Sequence, residues 1–157
     1  MQLTTDQNGL RAHRMNFRVR YSEIDQLGTF YNSRALEWFE CGRVEYLRAM
    51  EMPYDQMEAR GCCLPLIQAH LDFQGRAGFD DLLTMVTSAE MVGRARVRFN
   101  MHISHADGQQ ERPRRVVSGY TVHAVTDSNG RPVRCPDWLV EKLASDAPAG
   151  AENVVEE

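Results

Sequence analysis

A single helical pattern between residues 32 and 50 constrains the fold of this chain more than any other feature. Its apolar side chains recur every three or four residues, as in a helix with one buried face. They are Leu36, Phe39, Tyr46, Leu47 and Met50. Asn32 and Ser33 are common helix-capping residues and Pro53 stops helices, so the pattern predicts a helix from about residue 32–34 to residue 50. Gly42 in its middle predicts close contact with whatever the helix packs on.

The remaining patterns predict strands rather than helices. Alternating or β-branched runs occupy residues 15–21, 63–74, 81–92, 94–103 and 115–126. Most connections between neighbouring strands are short, which favours antiparallel pairing with one covered face and one wet face. The fold class is therefore α+β, with a five-stranded antiparallel sheet wrapped around one long central helix. Residues 132–143 predict a short strand remnant and a last helical turn.

Length and composition predict one domain. The chain has 157 residues, of which 43% are hydrophobic, and this is enough for a single core. Residues 1–14 lack any period and are expected to be a flexible arm, residues 15–143 form the domain, and the small, acidic residues 144–157 are expected to be a disordered tail.

Charge and cysteine content exclude several classes of function. The net charge is −4 and no basic tract occurs, so nucleic acid is not an expected partner. No apolar run of membrane-spanning length and no signal-peptide core occur, so we expect a cytoplasmic protein with no membrane partner. Four cysteines without zinc spacing, and His102 and His105 on opposite faces of a strand, predict no metal site.

Asp25 is the candidate catalytic group. It stands just before a glycine turn at Gly28 and the start of the long helix. The first N–H groups of a helix have no partner inside the helix, so they can hold a polarised or anionic group next to this carboxylate. The alternative is structural, since an aspartate in such a turn also hydrogen-bonds its own backbone.

The residues around Asp25 resemble a known active-site segment. Asp25, Gly28, Tyr31 and Asn32 form the string D-x-x-G-x-x-Y-N, which is followed by W-F-E at 38–40 and then Arg43. This string is similar to the active-site segment of the 4-hydroxybenzoyl-CoA thioesterase family, which are hotdog-fold acyl-CoA thioesterases. The resemblance covers about residues 15–140 in the order of elements, but it is specific only within residues 21–50.

The resemblance implies roles for the residues of this segment. Asp25 is the catalytic carboxylate, and the backbone N–H of Asn32, with Tyr31 or Ser33 beside it, polarises the thioester carbonyl. Many relatives carry histidine at the position of Asn32, and an asparagine side chain acts only through hydrogen bonds. The carboxylate attacks the carbonyl directly or activates a water molecule, and both routes remain open.

Substrate contacts are expected at two places. Phe30 and Trp38 are candidates for an apolar acyl pocket, with Gly28 as the permissive backbone next to it, although aromatic residues at this spacing also serve as core or subunit contacts. Arg94, Arg96 and Arg98 share one face of a predicted strand, where they fit the phosphates of coenzyme A or form an ordinary solvated surface.

Three functions compete at this point. The first is acyl-CoA thioester hydrolysis, with no cofactor other than the coenzyme A of the substrate. The second is a non-catalytic protein that binds acyl-CoA or an acyl carrier protein. The third is a hotdog dehydratase, which is disfavoured because residues 21–50 contain no histidine. The resemblance also implies a homodimer or a dimer of dimers with the pocket between chains, and aromatic, short and longer acyl groups all remain open.

Overall fold

The computed structural model describes residues 2–106 and 113–144. Within them, six strands form one antiparallel sheet in the order β1-β2-β4-β5-β6-β3. The strands are β1 (Gln2–Thr5), β2 (Arg11–Arg18), β3 (Leu66–Phe73), β4 (Leu82–Met91), β5 (Arg96–His105) and β6 (Arg115–Ala124). The helices are α1 (Asn32–Ala49), α2 (Tyr54–Ala59) and α3 (Asp137–Ala144), with a 3-10 turn at Tyr21–Glu23. The α+β class, a sheet wrapped around one long helix, is confirmed.

Helix α1 packs across the inner face of the sheet, close to the predicted boundaries. Its buried residues are Ala35, Trp38, Phe39, Gly42, Tyr46 and Leu47. Leu36 was expected on this face but is 37% exposed, because the buried stripe is rotated toward Ala35 and Trp38. A Cβ atom at Gly42 would lie 2.7 Å from Cε of Met85 and 2.8 Å from Oγ1 of Thr87. The expected close contact at Gly42 is therefore confirmed.

The N-terminal segment differs from the expectation. Residues 1–14 were predicted to be a flexible arm, and for residues 2–14 this is wrong, because β1 pairs with β2, which begins at Arg11. The loop between them is fastened to the sheet, since the hydroxyl of Ser88 donates to Oδ2 of Asp6 at 2.6 Å. The sheet accordingly has six strands rather than five. Backbone pairing to an already formed strand needs no apolar alternation, so the polar sequence of β1 gave no signal.

The C-terminal part follows the expected order. The strand remnant expected near Pro132 is a single bridge between Thr126 and Pro132, and α3 follows it. Ala144 closes α3, and the rest of the expected tail lies outside the described residues. The expected loop at 104–113 also differs, since β5 continues to His105 and residues 107–112 are outside the described ranges.

Strand β3 forms one edge of the sheet. It pairs with β6 on one side only, and all of its residues except Leu71 are exposed. Leu66, Ile67 and Phe73 are 47%, 50% and 52% exposed. A long edge strand with apolar side chains is a natural place for another chain to pair. None of the helices in the described part of the chain is both long and apolar enough to cross a membrane.

Candidate active site

Asp25 opens a tight turn that ends at Gly28. The N–H of Gly28 donates to the carbonyl of Asp25 at 3.1 Å, and Gly28 has a φ of 73°, a left-handed conformation that glycine adopts without steric cost. The N–H of Asp25 donates to the carbonyl of Thr29 at 2.9 Å. Oδ1 of Asp25 accepts the N–H of Leu27 at 2.8 Å. Asp25 therefore has the structural role that its sequence position allows, and one of its two carboxylate oxygens takes part in it.

The turn leads directly into α1. Ile24 and Phe30 form an antiparallel bridge across the turn, and the N–H of Tyr31 donates to the carbonyl of Glu23 at 2.8 Å. Tyr31 is the residue that precedes the first turn of α1. The strand-like pairing therefore places Asp25 and the N-terminus of α1 at the two ends of one short hairpin.

The first N–H groups of α1 are only partly used. The side chain of Tyr31 makes no capping bond, and the N–H of Arg34 donates to the carbonyl of Tyr31 at 2.9 Å. Asn32 and Ser33 are exposed, and their N–H groups find no acceptor among the described residues. The N–H of Tyr31 is already bound to Glu23, so the available donors are those of Asn32 and Ser33.

The Asp25 turn is docked on the segment that follows β3. The N–H of Phe30 donates to the carbonyl of Ala77 at 3.0 Å, and the N–H of Ala77 donates to Oγ1 of Thr29 at 3.1 Å. The guanidinium of Arg76 also donates to the carbonyl of Leu27. These contacts hold the turn in one place relative to the sheet.

Four aromatic side chains form a row beneath the turn. Trp38 lies between Phe17 and Phe30, with ring centroids 5.2 Å and 4.9 Å away, and Phe30 stacks on Phe73 at 6.1 Å. Phe30 and Trp38 are 5% and 4% exposed, so in a single chain they belong to the core. Phe73, at the end of β3, is the exposed member of the row. It was not among the candidate residues, because its place at the sheet edge depends on the strand order.

The arginines of β5 lie elsewhere. Arg98 stands over the ring of Tyr120, 3.7 Å from the ring centroid, and donates to Oδ1 of Asn100 at 2.9 Å. It is also 3.8 Å from the carboxylate of Glu90. Arg98 therefore has several partners on the outer face of the sheet.

The distance along β5 separates these arginines from Asp25 of the same chain. His105, at the far end of β5, lies 2.8 Å from the carbonyl of Arg76, next to the Asp25 turn. Arg96 begins β5 and Arg94 precedes it, so Arg96 is nine residues, or about 30 Å, from His105. Arg94 and Arg96 therefore lie toward the end of β5 that is remote from the Asp25 turn of the same chain.

Glu23 is a buried carboxylate beside the candidate site that the sequence analysis did not identify. Its side chain is 3% exposed. It accepts hydrogen bonds from Arg20 and from the indole N–H of Trp38. Burial acts to raise the pKa of Glu23, but these hydrogen bonds outweigh it and lower the pKa, so the group is ionised at neutral pH. No sequence signal separates Glu23 from the exposed acids around it.

A cleft of about 390 Å³ lies between α1 and β2, on the side of Trp38 and Glu23. Its apolar wall includes Met15, Phe17 and Met85, and Asp25 does not line it. The described residues hold no group of three or more histidine, cysteine, aspartate or glutamate side chains that is suited to a metal ion. The carboxylate of Asp25 and the two N–H groups are thus the chemical groups that the hairpin offers.

Comparison with known proteins identifies a family and a fold. A family model described as "Thioesterase-like superfamily" matches residues 19–143. The chain is 22% identical over 134 residues to the "Putative acyl-CoA thioesterase YneP" of Bacillus subtilis, covering 82% of this chain and 94% of that protein. It is 30% identical over 87 residues to the acyl-CoA thioesterase YbgC of Haemophilus influenzae, covering 55% of this chain and 64% of that one.

A solved structure shows the fold independently of sequence. The crystal structure of a 4-hydroxybenzoyl-CoA thioesterase mutant in complex with 4-hydroxybenzoyl-CoA superposes with a TM-score of 0.76 at 17% identity. The match covers 85% of this chain and 99% of that chain. At this identity the likeness establishes the hotdog fold.

Proposed function

Since this chain belongs to the thioesterase-like superfamily, we propose that it hydrolyses acyl-CoA thioesters to a carboxylic acid and free coenzyme A. One observation carries the proposal. Asp25 lies at one end of a short hairpin whose other end is the start of α1, where the N–H groups of Asn32 and Ser33 are unbonded among the described residues. A carboxylate in the same short hairpin as free helix donors suits acyl transfer.

The N–H groups of Asn32 and Ser33 would bind the carbonyl oxygen of the thioester. Negative charge develops on this oxygen as the carbonyl carbon becomes tetrahedral, and the N-terminal end of the α1 dipole stabilises that charge. Loss of one such donor commonly lowers the rate by about 10²–10³. Both donors are fixed in the helix backbone, so they need no reorganisation during the reaction.

Asp25 would supply the carboxylate in one of two ways. It attacks the carbonyl carbon, the C–S bond breaks with release of the coenzyme A thiolate, and water then hydrolyses the mixed anhydride. Alternatively, it takes a proton from a water molecule that attacks the same carbon. Either route ends with one carboxylic acid and one thiol, and neither requires a metal or a cofactor.

A second copy of the chain would complete the site. Large apolar side chains are exposed around the turn and on β3: Tyr21, Leu27, Tyr31, Ile67, Phe73 and Phe79, each at least 50% exposed. Soluble monomers rarely expose so many together. We expect pairing of the β3 edges of two chains to cover this surface, which gives a homodimer or a dimer of dimers and places the neighbouring chain beside the Asp25 turn.

A second candidate function is binding of acyl-CoA or an acyl carrier protein without catalysis. The hydrogen bond between Asp25 and the N–H of Leu27 favours it, because through this bond the carboxylate stabilises the turn, a structural role that involves no substrate. The two functions differ in whether thiol is released. They also differ in whether the negative charge of Asp25 is required for activity or serves only to stabilise the turn.

A panel of thioesters tests the proposal. We expect the wild-type chain to release thiol from at least one of benzoyl-CoA, a short aliphatic acyl-CoA, a longer acyl-CoA and an acyl carrier protein thioester. Asp25→Asn should lose at least about 10²-fold in kcat. The control is Asp127→Asn, an aspartate in a second turn of the same form. Binding without thiol release by the wild-type chain would establish the second candidate instead.

A further inference from the structure

Glu23 is a buried charge in a position that the proposed chemistry does not explain. It lies at the end of the 3-10 turn Tyr21–Glu23, two residues before Asp25, with a side chain that is 3% exposed. An ionised carboxylate away from water is stable only when its oxygens accept several hydrogen bonds.

Two residues satisfy this carboxylate. Oε2 of Glu23 accepts the backbone N–H of Arg20 at 2.7 Å, and Oε1 accepts Nε and Nη2 of Arg20 at 3.1 Å and 3.0 Å. Oε1 also accepts the indole N–H of Trp38 at 3.0 Å. Four donors converge on one side chain, and the indole N–H of Trp38 comes from a residue that is itself only 4% exposed.

Glu23 holds helix α1 at two points. Its side chain binds Trp38, two turns into the helix, and its backbone carbonyl binds the N–H of Tyr31 at 2.8 Å, just before the helix starts. The same residue belongs to the hairpin that carries Asp25. The position of Asp25 relative to the first N–H groups of α1 therefore depends on Glu23.

We infer that Glu23 is a positioning residue for thioester hydrolysis. Its carboxylate fixes the separation between Asp25 and the N–H groups of Asn32 and Ser33, so that carboxylate and donors act on the same carbonyl. This inference rests on the proposed function. A displacement of about 1 Å in such an arrangement costs about 10²-fold in rate, whereas substrate affinity depends on more distant contacts and changes less.

The decisive variant is Glu23→Gln, which keeps size and shape. The glutamine offers one acceptor oxygen, and its NH₂ group then faces donors of Arg20 or Trp38. We expect kcat to fall about 10- to 100-fold with KM changed less than about threefold. Trp38→Phe, which removes the indole N–H together with part of the ring and keeps a six-membered ring between Phe17 and Phe30, should lower kcat in the same direction but less.

The matched control is Glu37→Gln. Glu37 is on α1, one residue from Trp38, and makes an exposed ion pair with Arg34 at 2.9 Å. The control removes the same charge from the same region without breaking the Glu23 contacts. We expect its kcat to stay within about twofold of the wild-type value, since exposed ion pairs contribute little.

Two further measurements separate positioning from general stability. All kinetics are measured well below the unfolding midpoint of each variant, so that a smaller folded fraction does not imitate a lower kcat. The chain has two tryptophans, so in a Trp138→Phe background the emission of Trp38 reports its contact with Glu23. Glu23→Gln should shift that emission while the far-UV spectrum stays unchanged.

The outcomes distinguish this inference from the proposed function. Suppose that wild type and Glu37→Gln release thiol, and that folded Glu23→Gln has the wild-type kcat, with or without a raised KM. Glu23 then does not position the site, and the proposed function stands. If no substrate yields thiol with the wild-type chain, the proposed function fails and the role of Glu23 fails with it.

Discussion

Asp25 and Asp127 occupy equivalent positions in two turns of the same form. In both, the N–H of the glycine three residues later donates to the aspartate carbonyl, at 3.1 Å for Gly28 and 3.0 Å for Gly130. In both, Oδ1 accepts the N–H two residues later, at 2.8 Å and 2.9 Å. The Oδ1 of Asp127 also accepts the N–H of Arg131 at 2.9 Å, whereas the Oδ1 of Asp25 has a single partner among the described residues.

The paired turns predict opposite rankings for stability and activity. Asp127→Ala loses two hydrogen bonds and Asp25→Ala loses one, at about 1 kcal/mol or less for each exposed bond. We expect Asp127→Ala to be the less stable variant in urea unfolding, yet to keep its turnover. Asp25→Ala should keep more stability and lose almost all turnover.

Asp25→Asn sharpens this comparison. The amide oxygen of asparagine can still accept the N–H of Leu27, so stability should remain within about 0.5 kcal/mol of the wild-type value while thiol release disappears. A fully active Asp25→Asn would show that Asp25 serves the turn alone.

The exposed edge strand β3 predicts how the chain assembles. Ile67→Lys places a charge in the middle of the apolar edge, where pairing with a second chain would bury it. We expect light scattering to show half the assembly mass of the wild-type protein, together with reduced thiol release. Val92→Lys, at a site that is 39% exposed in the turn after β4, is the control and should change neither. Unchanged mass for Ile67→Lys would remove β3 from the interface.

His123 predicts a loss of stability in acid. Its ring is fully buried, with Nδ1 2.8 Å from the carbonyl of Leu64 and Nε2 3.0 Å from Oγ1 of Thr121. Burial lowers the pKa of His123 from 6.5 to about 4, although the bond to Leu64 opposes this shift. Between pH 6.5 and pH 4 the unfolded chain takes up a proton that the folded chain does not, so stability is complete above pH 6.5 and falls by up to about 3 kcal/mol as the pH decreases.

Two measurements check this pH dependence. The ring protons of His123 should titrate near pH 4 by NMR, and the unfolding midpoint in urea should fall between pH 7 and pH 4.5. His123→Gln should flatten that fall without abolishing it, because burial lowers the pKa values of His13 and His102 as well. Titration of His123 near pH 6.5 would contradict the expectation.

Most of the fold could be predicted from local sequence patterns. The 3.6-residue period located α1 within about one residue. Gly42 correctly predicted close packing, because the space that a Cβ atom would fill is taken by Met85 and Thr87. Strand β1 was missed because its residues obtain their structure from pairing with β2, and such pairing leaves no trace in a polar sequence. Leu36 was misplaced because the buried face of α1 includes Ala35 and Trp38, which were not counted in the apolar pattern.

The candidate site was only partly readable from the sequence. The pattern D-x-x-G occurs at Asp6, Asp25, Asp72 and Asp127, and the structure shows one kind of turn at three of them, whereas Asp72 lies in β3. What distinguishes Asp25 is the helix that follows and the residues it shares with a known family. Glu23 was not found because its importance comes from the approach of Trp38, fifteen residues later in the chain.

The uncapped N-terminus of α1 limits how the sequence of this protein can evolve. Tyr31 stands where serine or aspartate would bond the first helical N–H groups and add about 1 kcal/mol of stability. Replacing Tyr31 by serine or aspartate would raise the stability of the folded chain, but the first N–H groups of α1 would then be hydrogen-bonded to the capping side chain. At position 31, selection for a more stable fold therefore favours a capping residue, whereas selection for faster thioester hydrolysis favours a residue that leaves these N–H groups free.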